Sequence, residues 1–256
     1  MKIRIKFAKQ GAMKFVGHLD IMRYFQKAMR RAEIDIQYSE GFSPHQKMSF
    51  AAPLGVGLIS RGEYFDIEVY TTVNSKEAVR RLNEVMVEDM EVLSYLLLPD
   101  DAKNAMSLVG AADYRVRFRE ACLPEDVLAE KWAAFIGRDS IEVVKTTKKG
   151  ESLTEIRPLI MEGKIVSTEG FVSQEAVSAA DAMSENDNVS SGSEFFLKLV
   201  TGSENNLKPE LVMQAFTAYA GIELPPFGLL TERLELYGKT ETGELIPLEA
   251  FGTEIM

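Results

Sequence analysis

Residues 2–8, KIRIKFA, alternate strictly, with Ile3, Ile5 and Phe7 on one side of an extended chain and basic residues on the other. Period-two alternation predicts a strand with one apolar face, which must be covered by something else in the fold. The pattern returns at 64–70 (YFDIEVY) and at 113–119 (DYRVRFR), and between these stretches the spacing becomes helical. In 18–32, Leu19, Met22, Phe25 (or Gln26) and Met29 form one apolar face. Arg23, Lys27 and Arg30 fall on a stripe away from it, and Asp20 sits in the first turn, where a carboxylate suits the helix dipole. A short strand is expected at 34–38, then a Gly/Pro loop at 39–45 (SEGFSPH), an apolar extended piece at 49–52 and a turn at 53–57. After the 64–70 strand come a helix over 75–87 with Ser75 as N-cap and a strand over 91–98.

Strand, helix, strand, strand, helix, strand is the split βαβ, or ferredoxin-like, order. The second half gives a similar series. It has a strand at 113–119, a helix at 124–136 with Pro124 in its first turn, a strand at 141–146 and a basic turn at 148–150. A hairpin or bent strand pair follows over 152–166, then a strand at 195–201, a helix at 209–220 closed by Gly221, and a strand at 230–237. The expected fold is therefore α+β, with tandem ferredoxin-like (βαββαβ) units on antiparallel sheets. Residues 1–107 would form a basic N-terminal domain and 108–256 an acidic C-terminal one. Residues 168–194, with six acids, six serines and no Lys or Arg, read as a mobile acidic insert. Residues 238–256 read as a tail or short hairpin turning at 240–243.

Charge is distributed unevenly. Residues 1–61 hold eleven Lys/Arg against four acids, a balance of +7. The other 195 residues hold eighteen against thirty-five, a balance of −17. Such asymmetry points either to a polyanionic partner or to complementarity between the two halves. The single cysteine, Cys122, excludes an internal disulfide, a thiolate zinc site and a cysteine-ligated cluster. No apolar run reaches membrane-spanning length and the N-terminus lacks a signal-peptide core, so a cytoplasmic protein without a membrane partner is expected.

Both histidines lie in polar, Gly- or Pro-bearing segments, Lys14-Phe15-Val16-Gly17-His18-Leu19-Asp20 and 38–45. His18, Asp20 and His45 would supply an imidazole pair and a carboxylate. That set could serve acid–base chemistry on RNA or a metal ion, but H-x-D alone is too short to assign a metal site. His18 beside Gly17 could equally contact phosphate at a helix start. Gly55-Val56-Gly57 lacks the rest of a phosphate-binding loop. The other candidate surface is basic and aromatic. Lys14, Arg23, Lys27, Arg30, Arg31 and Lys47 would hold phosphates, with Tyr24, Tyr38 and Phe42 available for unpaired bases. Lys148 and Lys149 with Glu155 and Arg157 form a further cluster, read as surface ion pairing.

The strings KFVGHLDIMR at 14–23, YSEGFSPH at 38–45, SFAAPLGVG at 49–57 and EYFDIE at 63–68 resemble the radical SAM-linked DUF2344 domain family in its stand-alone form. The resemblance is strong over the first hundred residues and weaker through 111–119 and 155–160. Gly17, His18, Asp20, Arg23, Tyr38, Gly41, Pro44 and His45 match the family pattern, which carries no established catalytic role. It implies a separate radical SAM protein as partner, with ribonuclease genes nearby. Lacking the cluster cysteines, this chain would not itself be the radical enzyme. The tandem order is similar to that of RNA-binding and RNA-cleaving endoribonucleases, an analogy of fold only. The expectation is an accessory, substrate-recognition protein without a cofactor of its own, binding tRNA or rRNA through Lys14, Gly17, Arg23, Lys27, Arg30, Arg31, Tyr38, Phe42 and Lys47. The alternatives are an RNA-processing or metal-dependent enzyme using His18, Asp20 and His45, and a protein–protein adaptor.

Overall fold

The computed structural model describes residues 1–120, 122–147, 150–166, 193–203 and 205–256. It is a mixed α+β fold dominated by antiparallel strands. The expected insert, 168–194, lies outside the described residues except for residues 193 and 194. The chain divides into two compact units, Met1–Ala111 with Arg233–Met256, and Ala112–Glu232. The C-terminal segment thus closes on the N-terminal unit, a return that two consecutive blocks, 1–107 and 108–256, do not contain.

In the first unit β1 (Lys2–Lys9) leads through a 3-10 turn (Gly11–Phe15) to α1 (His18–Arg31). β2 (Met48–Ala51), β3 (Ile59–Glu68), α2 (Ser75–Glu84), β4 (Met90–Leu98) and the short α3 (Ala105–Leu108) follow. β1 is central, antiparallel to both β3 and β4, and β2 pairs with β3. Ile3, Ile5 and Phe7 are fully buried, as the alternation predicts. The other face is not solvated, however: Arg4 is 1% exposed, and Lys9 at the end of the strand is as deeply buried. A strand flanked on both sides and covered on its second face keeps its cations only by pairing them. Arg4 meets Asp66 at 2.8 Å and gives a hydrogen bond to the Leu248 carbonyl, and Lys9 lies 3.6 Å from Glu63.

α1 buries Ile21, Phe25, Ala28 and Met29, a stripe rotated from the predicted one, and Leu19 is exposed. Phe25 sets that rotation. Its ring lies 4.7 Å from Phe7 and 4.6 Å from Phe65, within a cluster that Phe50 completes. The strand expected at 34–38 reduces to isolated bridges, Ile36 to Val69 and Tyr38 to Gln46. The edge of β3 is instead taken by β2, which brings Phe50 opposite Phe65. The N-cap of α2 is Asn74, whose Oδ1 accepts the Glu77 N–H at 2.9 Å. Ser75 lies inside the helix, where its Oγ donates to the Tyr95 carbonyl at 2.6 Å.

β5 (Val109–Phe118) leads from the first unit into the second. There follow α4 (Glu125–Ile136), β6 (Glu142–Thr147), β7 (Gly150–Glu155), β8 (Ile160–Val166), β9 (Glu194–Val200), α5 (Pro209–Ala220) and β10 (Leu229–Lys239), whose second part belongs to the first unit. β9 lies between β5 and β8. The strand predicted at 141–146 does not join them: β6 and β7 form a separate two-stranded sheet, so the second unit departs from a plain βαββαβ series. Its core centres on Trp132, 4.9 Å from both Phe195 and Phe216. Gly163 lets α4 approach, since a Cβ there would lie 2.9 Å from Ile136. α5 ends as predicted at Gly221, at φ 70°.

The second part of β10 pairs with β11 (Leu245–Pro247) across a turn in which the Gly243 N–H bonds the Thr240 carbonyl, the hairpin alternative of the sequence reading. A 3-10 turn (Leu248–Phe251) and a bridge from Thr253 to Leu97 then bind the C-terminal segment to the first unit.

Candidate functional site

Much of the N-terminal basicity is consumed internally. Lys6 reaches Glu235 at 2.7 Å and Glu249 at 3.1 Å and Lys47 reaches Glu68 at 2.7 Å, whereas Lys2 donates to the carbonyls of Asp100 and Ala102 and keeps its charge. Burial opposes the Lys6 ammonium, but the charge and hydrogen bond of Glu235, with help from Glu249, more than offset this and raise its pKa. Tyr64 donates to Glu235 at 2.6 Å, and burial first, then Glu235, pushes its phenol far above the ordinary range. Lys14, expected on the basic surface, is 6% exposed, with its Nζ 5.4 Å from the Phe15 ring centre. The +7 balance is thus largely complementarity within the chain.

What stays in solvent is the outer face of α1, where Arg23, Lys27, Arg30 and Arg31 are all exposed. Arg23 meets Asp20 at 3.1 Å with both side chains 66% exposed, a pair too wet to hold its charges strongly. Beside the helix stands the 39–45 loop. Gln46, buried, donates to the Gln26 carbonyl at 3.2 Å and to Tyr38 Oη at 3.3 Å, which fastens the base of the loop to α1. Gly41 turns the tip at φ 109°, where a side chain would be strained. Phe42 next to it is fully exposed and Tyr38 is 44% exposed. Tyr24 is not part of this surface: it is half-buried and its Oη accepts the Val87 N–H at 2.7 Å.

The two histidines serve different surroundings. Gly17 is the N-cap of α1 and supplies no side-chain cap, and the adjacent His18 ring packs edge-on against Phe50 at 5.2 Å. His45 lines a cleft of about 290 Å3 with Lys2, Lys47, Ser49, Asp66, Glu68 and Lys103. Phe50 and Ser49 are successive residues of β2 and face opposite sides of the sheet, so His18 and His45 belong to opposite sides as well. Among the described residues no three His, Cys, Asp or Glu side chains group to hold a metal ion, and His18, Asp20 and His45 are not brought into such a set. Sequence reading missed Lys2 and Lys103 as neighbours of His45. They lie far apart along the chain and join only because β1, β3 and the 98–104 segment meet there. Of the Lys148–Lys149 cluster, the two lysines lie outside the described residues. Glu155 is held locally by Ser140 and by the N–H groups of Ile141 and Arg157.

A family described as an uncharacterised protein conserved in bacteria, DUF2344, matches residues 2–209. The chain belongs to the DUF2344 family. The matched span covers the whole α1 surface, the 39–45 loop and the cleft of this DUF2344 chain. No curated protein matches it. Among the described residues no helix is long and apolar enough to cross a membrane.

Proposed function

We propose that this DUF2344 protein is an accessory, substrate-recognition protein that holds single-stranded RNA, in tRNA or rRNA, on the outer face of α1 for a separate radical SAM enzyme. The observation that carries it is the residue left after internal pairing. Arg23, Lys27, Arg30 and Arg31 remain in water on one helix, next to an exposed Phe42 and a half-exposed Tyr38. Cations for phosphate beside aromatic faces for unstacked bases are how single strands are commonly held. The radical SAM partnership is drawn from the resemblance of the motifs at 14–57. In this reading both units are ferredoxin-like, supported in the first by the β4-β1-β3-β2 neighbour order. The test is binding of tRNA and rRNA fragments at graded salt. Affinity that is absent, or does not fall with salt, defeats the reading.

A second reading, a protein–protein adaptor, draws on Phe15, Leu19 and Val56, which are 65%, 61% and 63% exposed around the start of α1. Capture of the radical SAM protein that survives ribonuclease, with no measurable RNA affinity, would favour it. An enzyme built on His18, Asp20 and His45 has less support, because the rings face opposite sides of β2. RNA cleavage lost in both His18→Ala and His45→Ala would restore it.

A further inference from the structure

We infer that the cleft beside His45 is a binding site for the phosphate end of a nucleotide. The cleft lies wholly within the first unit, and at about 290 Å3 it falls near the lower limit of small-molecule sites, large enough for a mononucleotide. Its two carboxylates are already engaged. Asp66 takes Arg4 through both oxygens, at 2.8 and 3.0 Å, and also the Ala105 N–H at 2.8 Å, while Glu68 takes Lys47 at 2.7 Å. Its remaining cations are not neutralised. Lys2 is held by two carbonyls, which carry no net charge, and Lys103 is exposed with no partner among the described residues. The cleft therefore favours an anion.

His45 adds an oriented donor. Ser39 Oγ accepts the His45 backbone N–H at 3.1 Å and lies 2.8 Å from Nδ1. Where the serine hydroxyl donates to Nδ1, the ring proton lies on Nε2, which then offers an N–H donor. Two ammonium groups and an imidazole N–H suit the several acceptor oxygens of a phosphomonoester. Leu98, on the same lining, offers apolar surface to ribose or base. The phosphate could come from a free nucleotide or from the end of an RNA strand. The second source rests on the reading of α1 as an RNA face, whose flanking loop carries His45 at its end.

The chain has two histidines, so His45→Ala assigns the ring signals in an NMR titration with adenosine 5′-monophosphate, with adenosine as control. The nucleotide is expected to shift the His45 signals and adenosine to leave them, with affinity at least fivefold lower in Lys103→Glu, a change at an exposed position. A 5′-phosphorylated RNA decamer should bind at least threefold more tightly than its 5′-hydroxyl form, a difference lost in Lys103→Glu. A His45 signal unmoved by the nucleotide, or equal affinity in Lys103→Glu, overturns the site. Nucleotide binding without any oligonucleotide binding would remove the RNA reading and assign the site to a free nucleotide. Oligonucleotide binding indifferent to the 5′-phosphate, with no nucleotide response, would do the reverse.

Discussion

Replacing both Lys27 and Arg30 by Glu tests the α1 face where its charges are least committed. Both are exposed on the helix stripe, and neither is needed for the packing made by Ile21, Phe25, Ala28 and Met29. If Arg23, Lys27, Arg30 and Arg31 each neutralise one phosphate of a single strand, the slope of log K against log salt is about −2.8, at roughly 0.7 per contact. Between 50 and 200 mM salt that is a loss of about 50-fold. The double variant removes two contacts, so its slope should halve to about −1.4 and its loss over the same range shrink to about 7-fold. Fluorescence anisotropy of a labelled unstructured RNA at four salt concentrations measures both slopes. The variant should also keep its thermal midpoint, since exposed substitutions of this kind usually move stability by less than about 0.5 kcal/mol. A wild-type slope near zero, or an unchanged slope in a folded double variant, refutes the assignment of phosphate contacts to α1.

Four further outcomes follow from particular residues. Phe42→Ala should weaken RNA binding by about 1–3 kcal/mol at every salt concentration, with no change in slope and none in urea midpoint, because the ring is fully exposed. Asp66→Ala strips Arg4, 1% exposed, of its carboxylate and should cost about 3–5 kcal/mol in urea unfolding; loss below 1 kcal/mol would show that Arg4 is otherwise compensated. Hydrogen bonds from Arg80, then Arg81, lower Glu77 to about 2 from an ordinary 4.5. Its contribution is full above about pH 4.5 and fades as pH falls toward 2, so the stability gap between wild type and Glu77→Gln should close across that window. Burial raises the pKa of both Tyr64 and Tyr95. The Tyr64 shift is the larger, so at pH 11 phenolate absorbance should report at most seven of the eight tyrosines until urea is added, with stability falling as pH rises above about 10.

The elements were legible where one period dominates a long stretch. β1, β9 and α5 fall within a residue or two of their predicted limits, because Ile3, Ile5, Phe7 and the FFLKLVT run admit only one pleat. The partner of β3 was not legible. Residues 34–38 and 48–51 are both short and apolar, and the choice is made by the Phe50 ring reaching Phe65 and Phe25, contacts that do not appear in local spacing. The separate β6–β7 hairpin was obscured for a related reason, since a hairpin alternates in the same way whether or not a third strand pairs with it. At the site, exposure of Arg23, Lys27, Arg30 and Arg31 was readable from helical phase. Burial of Lys14 was not, since it sits in a 3-10 turn with no periodic face. The separation of His18 from His45 turns on their lying on either side of β2, which depends on which segment becomes that strand.

The pairing of β1 gives the α1 cations their meaning. Lys6 and Arg4 are neutralised by Glu235, Glu249 and Asp66, two of which arrive from the last 24 residues of the chain, along with the Leu248 carbonyl. A buried cation left alone would cost several kcal/mol, so those acids are placed by the requirements of folding. No such requirement bears on Lys27, Arg30 and Arg31. Their ammonium and guanidinium groups are in water, and any long polar side chain would solvate the same face of the helix. Three cations within five residues repel one another, which costs a few tenths of a kcal/mol per neighbouring pair. Only the arginines sit near the helix C-terminus, where the dipole offsets part of this. A folded chain with a surplus of acids elsewhere gains nothing in solubility from that cluster. Its use is therefore to be sought outside the chain, in an anion long enough to span more than two turns of α1 from Arg23 to Arg31.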